Sequence, residues 1–107
     1  MSIKSIVSAA AVMIFISGGA VKAAEHVVTQ KTKKFDTKKL SINKGDSVKF
    51  VNADSITHNV HSRSPGGKFD LGAQKPGTAS SRTFDKAGKF KIRCAIHPKM
   101  KVTITVN

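Results

Sequence analysis

Tryptophan and tyrosine are missing from this chain, cysteine occurs once, and only six residues are acidic against 19 Lys and Arg. Each shortage excludes something. A lone cysteine cannot form an intramolecular disulfide, so a disulfide-stapled framework is ruled out. Left free in an oxidising compartment it risks pairing between molecules, unless it is buried as a small hydrophobe or engaged as a ligand. A formal charge of +13 suits nucleic acid in principle. Without Trp or Tyr, however, few rings are left to stack on bases, and the lysines run along the whole chain instead of forming one block. Such charge is better suited to steering association with an acidic protein or an anionic surface. Long apolar runs are missing as well. The stretch from Ser5 to Ile16 falls short of the ~20 residues a membrane span needs.

That first stretch has the layout of an export signal. Met1-Ser2-Ile3-Lys4 is a short positive n-region, Gly18-Gly19 breaks the apolar run, and Val21-Lys22-Ala23 puts small residues at −3 and −1 of a cleavage site. Residues 1–23 are therefore read as a cleaved signal peptide, with Ala24 a second acceptable −1 residue, and the periplasm as the destination. Residues 24–107 form a single small domain. Removing Lys4 and Lys22 from the 19 basic residues leaves 17 against six acidic ones, a net of +11.

The pattern of that domain is β throughout, and no stretch holds a helical period for long. Strands are expected over His26–Gln30, Lys39–Asn43, Ser47–Asn52, His58–Ser62, Ser80–Asp85, Lys89–Cys94 and Lys101–Val106. Turn signals such as Lys44-Gly45-Asp46 and Lys75-Pro76-Gly77 separate them. Arg63 to Ala79 reads as a long connection with Phe69 and Leu71 as anchors and room for a brief strand. The expected fold is all-β, an antiparallel two-sheet Greek-key sandwich of about seven to eight strands.

Chemistry concentrates in Cys94-Ala95-Ile96-His97-Pro98-Lys99-Met100, which steps thiolate, imidazole and thioether at intervals of three. It lies between two expected strands, so all three side chains can turn to one point at a rim of the sandwich. His58, at the start of another strand, can supply a fourth donor. Two imidazoles, one thiolate and a weak thioether form the ligand set of a blue-copper centre. Soft sulfur suits Cu(I), imidazole suits both oxidation states, and the weak axial sulfur helps set the potential. Pro98 stiffens the loop, and Asn59 is placed to tie the His58 segment to it.

These motifs resemble the cupredoxins, small copper proteins of the plastocyanin and azurin type, and within them the amicyanins. The likeness runs from Lys44-Gly45-Asp46-Ser47-Val48-Lys49-Phe50 through His58-Asn59-Val60-His61 and Phe84-Asp85-Lys86-Ala87-Gly88 to the short C-x-x-H-P-x-M loop. It implies one type 1 copper per chain, with His58, Cys94 and His97 as equatorial ligands and Met100 as the axial one. The chain also departs from the family. Ile92 and Phe50 stand where Tyr and Trp are common, and Lys99 and Lys101 flank a loop whose rim is usually apolar. The family's amine-dehydrogenase partner is accordingly not carried over.

His61, three residues from His58, falls on the opposite face of an extended strand and is read as a surface histidine outside the donor set. His26 would be third from a free amine if cleavage follows Ala23, an arrangement able to bind Cu(II) through amine, amides and imidazole; otherwise it simply opens the first strand. The functional expectation is a monomeric one-electron carrier, not an enzyme, because four protein donors leave no open position. Its expected partner is an acidic redox protein such as a c-type cytochrome, an oxidase or a dehydrogenase. The alternatives are copper storage or delivery, a basic surface-binding module with an inert cysteine, and a modified copper centre doing small-molecule chemistry.

Overall fold

A computed structural model describes residues 22–107, so the expected signal segment lies, up to Val21, outside the described residues. Nine strands make up the domain: β1 (Glu25–Lys31), β2 (Lys34–Phe35), β3 (Lys39–Ile42), β4 (Ser47–Asn52), β5 (His58–Ser62), β6 (Phe69–Gln74), β7 (Ala79–Thr83), β8 (Gly88–Arg93) and β9 (Lys101–Val106). Among the described residues no helix is long and apolar enough to cross a membrane. Five strands form one sheet in the order β3-β9-β8-β5-β6, and four form the other in the order β2-β1-β4-β7.

All seven expected strands are present within one or two residues of their expected ends. The two additions have plain reasons. β2 has only two residues, below the length at which alternation registers. β6 occupies part of the expected 63–79 connection; its pattern is broken by Gly72 at φ 78, and its residues are mostly half-buried or exposed. The sandwich itself stands, but its pairing is mixed. β9 runs parallel to β3, and β1 parallel to β4. Parallel neighbours need a crossover. Here the chain makes it by leaving β1 for β3 in the opposite sheet before returning as β4.

Alternation decides which faces meet. Val48 and Phe50 on β4, Phe90 and Ile92 on β8, and Val102, Ile104 and Val106 on β9 are all buried. Each such side chain contributes about 1.5–3 kcal/mol over its exposed state. Towards one end this apolar core gives way to amides. Gln30 Nε2 donates to Gln74 Oε1 at 2.7 Å, linking β1 of one sheet to β6 of the other. Asn52 Nδ2 donates to the Ile56 and Gln74 carbonyls, each at 2.9 Å, and Asn52 Oδ1 accepts the Asp54 N–H at 2.9 Å. The buried amides thus hold the β4–β5 loop, from which His58 follows.

The opposite end is pinned by Asp46. Its carboxylate accepts the Ala24 and Asn43 N–H groups, both at 3.0 Å, and meets His26 Nε2 at 3.0 Å. His26 is therefore engaged as a strand residue of β1 with its ring on Asp46. The Ala24 N–H, then the His26 ring and the Asn43 N–H, pull the Asp46 carboxyl from 3.8 down to about 2. A depressed carboxyl stabilises the fold above its unfolded value and loses that contribution as pH falls through the folded one. Asp46→Asn should accordingly melt below wild type near neutral pH, and the gap should close as pH drops from about 4 towards 2. Parallel thermal melts across this range test it, and a gap that ignores pH would mean that charge on Asp46 contributes nothing.

Candidate metal centre

β8 and β9 are antiparallel neighbours, and Cys94–Met100 bridges their ends. Two backbone bonds close the loop: the Cys94 N–H donates to the Met100 carbonyl at 3.3 Å, and the Met100 N–H donates to the His97 carbonyl at 2.9 Å. Within it Cys94 and Met100 are buried, His97 is half-buried, and Ile96, Pro98 and Lys99 face solvent. His58, the first residue of β5, is wholly buried opposite.

The structure brings His58, Cys94 and His97 together. Their donor atoms lie within 4.8 Å of one another. His58 Nδ1 and His97 Nδ1 are each 3.8 Å from Cys94 Sγ, and the two rings meet edge to face with centroids 5.1 Å apart. A nitrogen at about 2.0 Å and a thiolate at about 2.3 Å from a shared ion, in trigonal array, are separated by about 3.7 Å. The observed spacing fits one metal ion between the three donors. Met100 is buried at the base of the same loop. The burial of Cys94, 1% exposed, also shields its thiol from pairing between molecules.

Two of the surrounding contacts replace missing strand pairing. β5 and β8 pair only at His61↔Arg93 and Ser62↔Ile92. Beyond that point the Asn59 N–H donates to Cys94 Sγ at 3.3 Å, and Asn59 Oδ1 accepts the Ala95 N–H at 3.1 Å. Asn59 thus ties the two segments as its position suggested. Its own amide is held by Asp70 Oδ1 at 2.8 Å and the Gly72 carbonyl at 3.1 Å. His61 stays out of the donor cluster, its Nδ1 lying 2.9 Å from Asn59 Oδ1.

Asp54 and Asp70 escaped the sequence reading. Asp54 Oδ2 sits 2.9 Å from His58 Nε2 and also accepts the Lys33 N–H at 2.9 Å. With His58 Nδ1 turned to the sulfur, Nε2 is the nitrogen left to carry the hydrogen, and Asp54 fixes that tautomer. The Lys33 N–H first, and the His58 ring second, hold the Asp54 carboxyl down at about 2. Its signal was its spacing, four residues before His58. Asp70 has no local signal. It reaches Asn59 only because β6 pairs with β5, and the Gly72 N–H and Asn59 amide lower its carboxyl in turn.

Residues 22–107 match the family described as copper binding proteins, plastocyanin/azurin family. The chain belongs to that family, and copper is its metal. Amicyanin-alpha of Methylorubrum extorquens is 29% identical over 102 residues, covering 85% of this chain and 84% of that protein. Methylamine utilization protein MauL of the same organism is 33% identical over 63 residues, 58% of this chain; the match spans only 55% of MauL. A solved amicyanin variant in its Cu(I) form superposes with a TM-score of 0.72 at 28% identity, covering 84% of this chain and 87% of that one.

A carboxylate on the far nitrogen makes an imidazole a stronger donor and favours the higher metal charge. Asp54→Asn, whose amide oxygen can still accept both hydrogens, should raise the reduction potential of the copper-loaded protein with little loss of stability. Asp54→Ala should raise it too and also lower the melting temperature by freeing Lys33 and His58. Voltammetry on both variants tests this, and a potential unmoved in either would show that the carboxylate does not influence the centre.

Proposed function

We propose that this chain is an exported one-electron carrier whose single copper is held by His58, Cys94 and His97, with Met100 as a weak axial donor. The observation that carries this reading is the pair of imidazole nitrogens, each 3.8 Å from one buried thiolate, on segments already locked together by hydrogen bonds. Bound copper supplies a one-electron Cu(II)/Cu(I) couple. The protein's own residues do the rest. The Asn59 N–H steadies the thiolate, Asp54 orients His58, and the closed loop limits how far the donors move when the charge changes. Of the three, only His97 is partly open to solvent, which makes its ring the natural electron port.

Storage or delivery of copper is less well served, because two of the three donors are buried and Met100 is the only methionine after residue 13. Four protein donors suit a carrier better than a catalyst. The charged, apolar and small-residue layout of residues 1–23 supports export, with the periplasm as the carrier's location. Cleavage after Ala23 would leave the Ala24 amine against Asp46, whose Oδ1 already lies 3.0 Å from that nitrogen. The partner consistent with a net charge of +11 is an acidic redox protein.

The copper-loaded protein should be intensely coloured by thiolate-to-copper charge transfer, and Cys94→Ala should be colourless. Copper should raise the melting temperature, since the ion binds the folded donors preferentially. Met100→Leu should keep the colour and shift the potential upward, because loss of axial sulfur disfavours Cu(II). Absorption, EPR and voltammetry on these three proteins decide the matter. Weak, ordinary Cu(II) absorption in wild type would sink the type 1 assignment, and an unchanged potential in Met100→Leu would remove Met100 from the centre.

A further inference from the structure

Beside His97 lies a groove of about 760 Å³, bounded by the β1–β2 turn on one side and the Cys94–Met100 loop on the other. Lys33 and Lys34 line it on the turn side and Lys99 and Lys101 on the loop side, while Lys38, whose carbonyl accepts the Thr103 N–H, lies beside β9. No Asp or Glu contributes to it. Among the described residues, the only ion pairs are His26 with Asp46 and His58 with Asp54, so none of these five lysines is neutralised by a carboxylate. Between the lysines the lining includes the apolar Phe35, Pro98 and Met100 beside His97 and Thr103, with Phe35 and Met100 buried and Ile96 53% exposed at the rim.

The turn that carries Lys33 is strained. Thr32 and Lys33 have φ values of 52° and 59°, in the left-handed region that a two-residue hairpin normally fills with Asn-Gly. Non-glycine residues at such angles persist only where the surroundings hold them. Here the Lys33 N–H is held by Asp54 Oδ2, the oxygen that also holds His58 Nε2. A lysine is kept where glycine would relieve strain, and it is referenced through one carboxylate to a copper ligand.

We propose that this groove seats an acidic segment of the partner protein, its carboxylates on the two lysine walls and an apolar side chain over Ile96, and so holds the partner against His97. This deepens the electron-carrier reading and rests on it. Charge complementarity selects the occupant, and concavity favours a protruding protein segment over an anionic membrane, which would meet the rims and leave the apolar floor uncovered. The charge acts first on encounter. Between about 0.01 and 0.15 M salt the screening length falls from about 30 to about 8 Å, so association should weaken steeply over that range.

The test is a titration of the Cu(I)-loaded protein with a synthetic oligoglutamate peptide carrying one central leucine, followed by amide NMR at low salt. Shifts should concentrate on the β1–β2 turn and the ligand loop. Lys33→Glu with Lys34→Glu, or Lys99→Glu alone, should weaken binding by about tenfold. Lys44→Glu and Lys86→Glu, in turns at the other end of the sandwich, should leave it unchanged. Thr32→Asn with Lys33→Gly should raise the melting temperature yet weaken binding, which separates the charge from the fold. Shifts scattered over the surface, equal losses from Lys86→Glu, or vesicles of anionic lipid bound in preference to the peptide would overturn the proposal. Absorption and voltammetry on the same variants keep the two readings apart. A reversible blue centre with no localised peptide binding removes the groove alone, whereas localised binding without reversible redox removes the carrier.

Discussion

The parting of β5 from β8 is the constraint on which the rest of the molecule turns. Two neighbouring strands that paired to their ends would fill the rim with backbone hydrogen bonds and leave no room for an ion. Here they pair twice and then diverge, and the side chain and amide of Asn59 bridge the opening to Cys94 and Ala95. One residue thereby replaces a ladder and supplies a hydrogen-bond donor to the Cys94 sulfur. The remaining requirements follow. Asn59 must itself be held, which Asp70 and Gly72 do, and His58 must face the gap in one tautomer, which Asp54 secures.

The domain uses a carboxylate and a histidine in the same way at both ends, with different consequences. Asp46 meets His26 and gathers the start of β1 and the β3–β4 turn. Asp54 meets His58 and gathers the β1–β2 turn and the donor cluster. In each case backbone N–H groups do most to keep the carboxyl ionised, and the ring adds to them. Only the second pair has its other imidazole nitrogen turned to a cysteine sulfur. Beneath it the buried amides of Gln30, Asn52 and Gln74 join the sheets, so the donors rest on a polar framework as well as on the apolar core. Such a framework is costly to break, because each buried amide left without a partner forfeits its hydration.

Charge is arranged on a different principle. The carboxylates at Asp46, Asp54 and Asp70 are spent on internal contacts with amides and imidazoles. Among the described residues, no lysine is paired with a carboxylate. With so few acids, the positive field near His97 is compensated only by solvent ions or by a partner, and a partner of opposite charge is drawn towards it over a distance set by screening.

The sequence by itself determined the class of the fold and seven of its nine strands, and it singled out the His58, Cys94 and His97 that the structure brings together. Alternation over Ser47–Asn52 and Lys101–Val106 is local, and the thiolate, imidazole and thioether of one seven-residue loop are read without knowing what lies opposite. Asn59 was legible for the same reason, being next to His58. Only the tertiary structure decided the parallel pairings of β1 and β9, the existence of β6, and the roles of Asp54, Asp70 and Gln74. It also brought the lysines of the β1–β2 turn up to those of the ligand loop. The physical reason is range. Hydrophobic period and ligand spacing act over a few residues, whereas strand order, buried hydrogen bonds and a shared groove depend on which distant segments the closed sandwich brings side by side.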